Sequence, residues 1–121
     1  MKLLIVGSRS IVDFDLTPYV PAEVELIISG GASGVDSLAE AYADAHRISK
    51  LILRPNYRRF GRGAPIRRNR EMVELSDEVL VIWDGASRGT AETVRYARSK
   101  GKPIRLITPE ATSESSAKGT L

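Results

Sequence analysis

The chain contains no cysteine among its 121 residues and a single histidine, His46. Without thiols there is no disulfide framework, no thiolate metal site and no cysteine nucleophile. One histidine makes no histidine cluster, and no metal site and no cofactor beyond a bound ligand are expected. No apolar run approaches the roughly 18 to 20 residues of a membrane helix, and the opening Lys2–Gly7 stretch is shorter than the apolar segment of a signal peptide. A cytoplasmic protein with no membrane partner is the expectation. An excess of one charge is also lacking: a formal net charge of +3 permits a nucleic-acid partner but argues for one only if the positive residues collect on one face. What remains, 42% hydrophobic and 27% charged residues, suits one small domain with its own core.

The most informative stretch is Leu26-Ile27-Ile28-Ser29, followed by Gly30-Gly31-Ala32-Ser33-Gly34 and Val35-Asp36-Ser37-Leu38-Ala39. An apolar strand running into a tight turn and a helix start puts backbone N–H groups at the carboxyl edge of a sheet. There an anion such as phosphate is held without a dedicated charge. Gly30, Gly31 and Gly34, with Ala32 among them, allow positive φ or close approach of a ligand, and Asp36 caps the helix start or binds a ribose hydroxyl. The spacing is neither the G-x-G-x-x-G fingerprint nor a P-loop. A plain strand-to-helix turn is the alternative.

Taken in order, Lys2 to Val6 reads as a buried strand because its run is aliphatic without polar alternation. Gly7, Ser8 and Arg9 turn at its carboxyl end and are candidate phosphate contacts, with pairing of Arg9 to Asp13 or Asp15 as the alternative. Pro18 and Pro21 leave room only for a short helix near Asp15 to Val20, so one face of the sheet is expected to be thinly covered there. Val24 to Ser29 forms the second strand. The helix after it, from about Gly34 to His46, presents Val35, Leu38, Ala39, Tyr42 and Ala45 to the sheet. Leu51 to Arg54 is a third strand.

Asn56 to Arg70 has no apolar period and carries six arginines. Tyr57, Arg58, Arg59, Phe60 and Arg62 form a candidate stacking and phosphate platform for nucleic acid, against the alternative of a solvated loop. A helix then opens near Pro65 and runs through Leu75, with Ile66, Met72, Val73 and Leu75 inward. Arg67, Arg68 and Asn69 are candidate ligand residues on it. Val79 to Trp83 is the clearest strand. Trp83 and Asp84 emerge at its end, and Asp84-Gly85-Ala86-Ser87-Arg88-Gly89-Thr90 makes a second glycine turn. Ser87, Gly89 and Thr90 belong to a second anion site, with Thr90 as N-cap of a helix from Ala91 to about Lys100. Ile104 to Thr108 is the last strand, and residues 109–121 read as a loose tail.

The order Ser29-Gly30-Gly31-Ala32-Ser33-Gly34-Val35-Asp36, Gly7-Ser8-Arg9, Arg68-Asn69-Arg70-Glu71-Met72 and Trp83-Asp84-Gly85 to Thr90 resembles the SLOG superfamily. That superfamily is named after the Smf/DprA DNA-processing proteins and the LOG phosphoribohydrolases, and the likeness is to its small stand-alone branch of unknown function. The resemblance covers most of residues 1–108. It implies a three-layer α/β, Rossmann-like domain with a five-stranded parallel sheet in order 3-2-1-4-5. It also implies a nucleotide or nucleoside-phosphate ligand, and a homodimer. In LOG proteins an Arg-Lys-x-x-Met segment supplies a catalytic arginine, which Arg68 matches, with Asn69 in place of the lysine. Their catalytic glutamate is matched by Thr93, with Glu92 one residue away, so Asp84 or Glu92 would have to serve if the bond to the base is cleaved. Three functions follow: binding of a nucleotide or nucleotide-derived phosphate; N-glycosidic hydrolysis of such a compound; and single-stranded DNA binding.

Overall fold

The computed structural model describes residues 1–109. Past residue 109, the tail expected from the sequence lies outside the described residues. Five strands, β1 (Lys2–Gly7), β2 (Leu26–Ser29), β3 (Ser49–Ile52), β4 (Glu78–Ile82) and β5 (Ile104–Ile107), make one parallel sheet in the order β3-β2-β1-β4-β5. The helices are α1 (Val35–Ala45), the single turn α2 (Tyr57–Phe60), α3 (Ala64–Leu75) and α4 (Arg88–Ser99). The architecture is α/β and Rossmann-like. The chain winds outward from β1 to β3, then returns to place β4 on the other side of β1, so the loops after β1 and β4 part at this switch and leave a crevice between them.

The central strands are continuous apolar runs because both of their faces are covered. Leu3 and Ile5 of β1 join Ile27, Leu80 and Ile82 under Val35, Ala39 and Ala43 of α1. Leu4 and Val6 join Ile28, Val79 and Val81 under Met72 and Val73 of α3 and Val94 and Ala97 of α4. The stripe on α1 therefore steps by four residues and ends at Ala43, and Ala45, expected inward, is exposed in the last turn. On α3, Ile66 and Leu75 are likewise exposed, at 47% and 39%. Ile66 lies six residues from Met72, about 120° away around the helix.

Other boundaries moved for reasons that hydrophobicity does not contain. β3 pairs through Ser49↔Leu26 and Ile52↔Ser29, so it begins and ends two residues before the Leu51–Arg54 run. The first crossover holds one 3-10 turn, Thr17–Tyr19, in place of the short helix. Its sheet face is nevertheless covered: Leu16 is buried in the core, and Phe14 and Tyr19 pack against it with rings stacked at 5.6 Å. The basic segment expected as a loop is helical, with α2 capped by Asn56, whose side chain accepts from the Arg59 N–H, and a 3-10 turn over Gly61–Gly63 leading into α3. The cap of α4 is Ser87, three residues before Thr90, and its side chain accepts from the Thr90 N–H.

Candidate functional site

At the switch, the turn after β1 is stitched to its surroundings. The Ser8 N–H donates to the Ile82 carbonyl at 3.1 Å, the Ser8 carbonyl accepts from the Val35 N–H at 3.2 Å, and Ser8 Oγ accepts from the Asp84 N–H at 2.9 Å. Ser8 is fully buried and its bonds join β1, β4 and α1, so the structure gives it a scaffolding position and not the phosphate contact expected of it. The glycines act similarly. A Cβ on Gly7 would lie 2.1 Å from the Ile82 carbonyl oxygen, and one on Gly34, at φ +74°, would lie 2.5 Å from the backbone of Arg9. These glycines make room for the chain itself, where the sequence allowed equally for a ligand.

Above this floor lies a cleft of about 400 Å³. Arg9, Ala32 and Asp36 line it from the first half of the sheet, and Arg68 and Asn69 from α3. Asp84, Ser87, Gly89, Thr90 and Thr93 line it from the second half. Three guanidinium or carboxylate groups in it are held very differently.

Arg68 is pinned. Its Nη1 donates to the Gly30 carbonyl at 2.7 Å and the Leu53 carbonyl at 3.1 Å, and its Nε donates to Asn69 Oδ1 at 2.8 Å. Asn69 thus orients the arginine beside it. Burial lowers the proton affinity of Arg68, opposed by the nearby Asp36 carboxylate, and a guanidinium stays charged regardless.

Asp36 sits in the first turn of α1 with only 8% of its surface exposed. One oxygen, Oδ2, accepts from the Ala32 N–H at 3.1 Å, and among the described residues the other has no hydrogen-bond partner. Desolvation raises its pKa, only partly opposed by that amide and by Arg68 and Arg9. Asp84 is the reverse case. Its Oδ1 accepts from the Ala86 and Ser87 N–H groups at 2.8 and 2.9 Å, and Oδ2 accepts from Ser10 Oγ at 3.0 Å. The two amides hold its carboxyl down to about 2. Asp84 shapes the second glycine turn, with both oxygens already engaged.

That turn delivers the N-terminus of α4 to the cleft. The Thr90 N–H is taken by Ser87 Oγ, whereas the Arg88 and Gly89 amides, in the first turn, have no intrahelical acceptor. A Cβ on Gly89 would meet nothing within 4 Å, so the helix end is open to a ligand. Thr93 lines the cleft with its hydroxyl donating to the Gly89 carbonyl at 2.9 Å. Ser10, Pro65, Met72 and Thr93 were not read as site residues from the sequence; of these, only Thr93 carried a signal, three residues from Thr90 on one helical face.

Several expected residues do not reach the cleft. Glu92 points away from it into ion pairs with Arg70, at 3.5 Å, and Arg95. Trp83 braces the second turn, its Nε1–H donating to the Ser87 carbonyl at 3.0 Å. Gly31 takes φ +74° and its carbonyl accepts from Arg54 at 3.1 Å. Arg67 turns to the opposite side of α3, 4.2 Å from the ring centre of Phe60. There it lines a second groove, about 580 Å³, together with Phe60, Ile66, Arg70, Glu71, Glu74 and Tyr96. Arg67 and Arg68 are thus split between two concavities, as about 100° between successive helical side chains requires.

Among the described residues no helix is long and apolar enough to cross a membrane, and no group of three or more acidic or histidine side chains is placed to hold a metal. Comparison of the chain with protein-family models, curated proteins and solved structures finds no match.

Proposed function

We propose that the cleft between the β1 and β4 turns binds a nucleotide or a nucleotide-derived phosphate, in a cytoplasmic protein of the SLOG type. The observation that carries this reading is the cleft itself: about 400 Å³ at the carboxyl edge of the strands and at the topological switch, where ligands of open α/β sheets bind. Its chemistry suits a phosphate. The first turn of α4 offers unclaimed amides beside an open Gly89, and Arg9 and Arg68 supply positive charge from the facing side. Isothermal titration across nucleoside mono- and diphosphates, NAD-related compounds and cyclic derivatives is expected to find a ligand well below millimolar. Binding should weaken in Arg9→Ala. If no member of such a panel binds better than millimolar, the cleft is not a nucleotide site.

Hydrolysis of an N-glycosidic bond is the narrower version of this reading, and neither carboxylate that the sequence offered for it is well suited. Glu92 is outside the cleft, and Asp84 has both oxygens occupied.

A second reading, single-stranded DNA binding, is favoured by the other groove. Residues 45–70 contain eight arginines and one lysine and no acidic residue. Arg59 and Arg67 lie 5.1 and 4.2 Å from the Phe60 ring centre, and Arg70 and Lys100 lie 5.1 and 5.5 Å from that of Tyr96. Cations beside aromatic faces combine phosphate contacts with stacking surface; Arg58 and Arg62 extend the positive segment, and the exposed Tyr57 adds a ring. Fluorescence anisotropy with labelled single strands is then expected to give affinity that falls with salt at a log–log slope of roughly 0.7 per phosphate contact, and less steeply in Arg58→Ala with Arg59→Ala. Absence of saturable binding at about 50 mM salt rules this reading out.

A further inference from the structure

The formal charge of +3 conceals a sharp division. Residues 10–44 carry seven acidic residues and no lysine or arginine, so a stretch of −7 precedes one of +9 over residues 45–70. The fold sorts the two onto different sides. The acidic stretch holds the first crossover and α1, and both pack on the sheet face formed by Leu3, Ile5, Leu80 and Ile82. The basic stretch runs along the edge strand β3 into α2 and the first half of α3, and α3 packs on the opposite face through Met72 and Val73. α2 is set against α3 by Phe60, whose ring centre lies 4.2 Å from the Arg67 guanidinium.

Within one molecule the two stretches scarcely neutralise each other. Among the described residues one ion pair joins them, Lys50 to Asp44 at 2.9 Å. Asp13 and Glu40 have no ion-pair partner among those residues, and neither have Arg58, Arg62 and Arg67. Each side also exposes apolar surface beside its charges: Val12, 73% exposed, next to Asp13, and Tyr57 and Ile66, 59% and 47% exposed, next to Arg58 and Arg67. Apolar surface ringed by polar groups is the make-up of a protein–protein contact. A nucleic acid would use the basic side alone and be repelled by the other. A second copy of this chain satisfies both.

We infer that copies of this chain associate head to tail, the acidic face of the first crossover and α1 in one copy docking on the basic α2 and α3 face of the next. The two faces lie on opposite sides of one sheet, so each contact leaves one acidic and one basic face free. The contact is therefore heterologous and open-ended, building a stack and not a closed pair. Attraction between the faces speeds their encounter and reaches only about one Debye length, about 10 Å at 0.1 M salt, so the stack forms at low ionic strength and comes apart at high. The contact makes no use of the cleft between the β1 and β4 turns, and it holds or fails apart from the nucleotide reading.

Sedimentation velocity of the full chain over a range of concentrations tests this. At about 20 mM salt the weight-average sedimentation coefficient is expected to climb with concentration past the value of a dimer, and at about 300 mM to return to that of the monomer. Asp13→Asn with Glu40→Gln blunts the acidic face, and Arg58→Gln with Arg62→Gln blunts the basic one; none of the four side chains is buried. Each double variant alone should stay a monomer at low salt. An equal mixture of the two should form a dimer and nothing larger, because one intact face of each kind remains. A monomer at every concentration in low salt overturns the inference, and saturable binding of a labelled single strand by that monomer would give the basic face to nucleic acid. A plateau at the dimer overturns it too, since that is a closed contact, as does either double variant associating like the unaltered protein. The salt and concentration series uses the unaltered chain, so the inference stays decidable even if a variant folds poorly.

Discussion

Asp36 and Arg68 flank the α-carbon of Gly30 at distances that leave no space for a methyl group, 2.9 and 2.8 Å from the point where its carbon would stand. Both obstacles are side-chain ends, so Gly30→Ala is expected to fold and to displace one or both of them. Calorimetry should show nucleotide affinity reduced about tenfold or more, since an interaction with a charged group is lost. Gly7→Ala should behave differently, because its methyl would meet the Ile82 carbonyl oxygen at 2.1 Å and Val35 Cγ2 at 2.6 Å. Overpacking of that kind destabilises by about 1–3 kcal/mol or more. Urea titration of both variants checks the contrast; equal midpoints would refute it.

Asp36 is expected to cost stability at neutral pH. Its pKa is raised above 3.8, with burial as the largest cause, opposed by the Ala32 amide, Arg68 and Arg9 and assisted by the nearby Glu40. The folded protein therefore holds this proton more tightly than the unfolded chain. The contribution is full below pH 3.8 and is lost as pH rises through the raised value. Asp36→Asn should consequently melt at or above the wild-type temperature at pH 7, with the difference shrinking towards pH 4. A variant that melts lower at pH 7 than at pH 4, relative to wild type, contradicts this account.

Asp84 carries the opposite sign. Two amides and two hydroxyls hold it at about 2, below its ordinary 3.8. Its stabilisation is present above pH 3.8 and disappears as pH falls towards 2. Asp84→Asn is expected to lower the melting temperature at pH 7, and thermal scans down the pH range should see the two proteins converge in acid. A constant difference at all pH values would mean that the charge is not what holds the second glycine turn.

Arg68 and Glu92 separate residues that the sequence offered together. Arg68→Lys keeps the charge but loses the planar fork that joins Gly30, Leu53 and Asn69. A stability loss of about 1–3 kcal/mol is expected, together with weakened nucleotide binding. Glu92→Gln removes only surface ion pairs with Arg70 and Arg95, so stability should change by less than about 1 kcal/mol and nucleotide affinity should not change. A loss of affinity in Glu92→Gln comparable to that of Arg68→Lys would mean that the cleft extends across α4.

Uninterrupted apolar runs at Leu3–Val6 and Val79–Ile82 marked buried parallel strands without reference to any contact, because a strand covered on both faces has no reason to alternate. The two glycine turns were equally legible, as was the placement of Arg9, Asp36, Arg68, Ser87, Gly89 and Thr90 near the carboxyl edge. Periodicity alone did not distinguish the strand order from other doubly wound sheets; only the motif resemblance implied it. Tertiary structure decided what these residues face. Whether a glycine admits a ligand or a neighbouring strand depends on an atom far along the chain, as the Ile82 oxygen does for Gly7. Whether a carboxylate is free depends on which amides reach it, and so Asp84 is engaged while Asp36 keeps an open oxygen. A one-residue step on a helix sends Arg67 and Arg68 to different concavities. Local sequence thus determined the central strands and the two glycine turns, because these follow from short-range sterics and burial, while the ends of β3 and the helical form of the basic segment came from pairing and packing. The partners of each side chain came only from packing elements distant in sequence against one another.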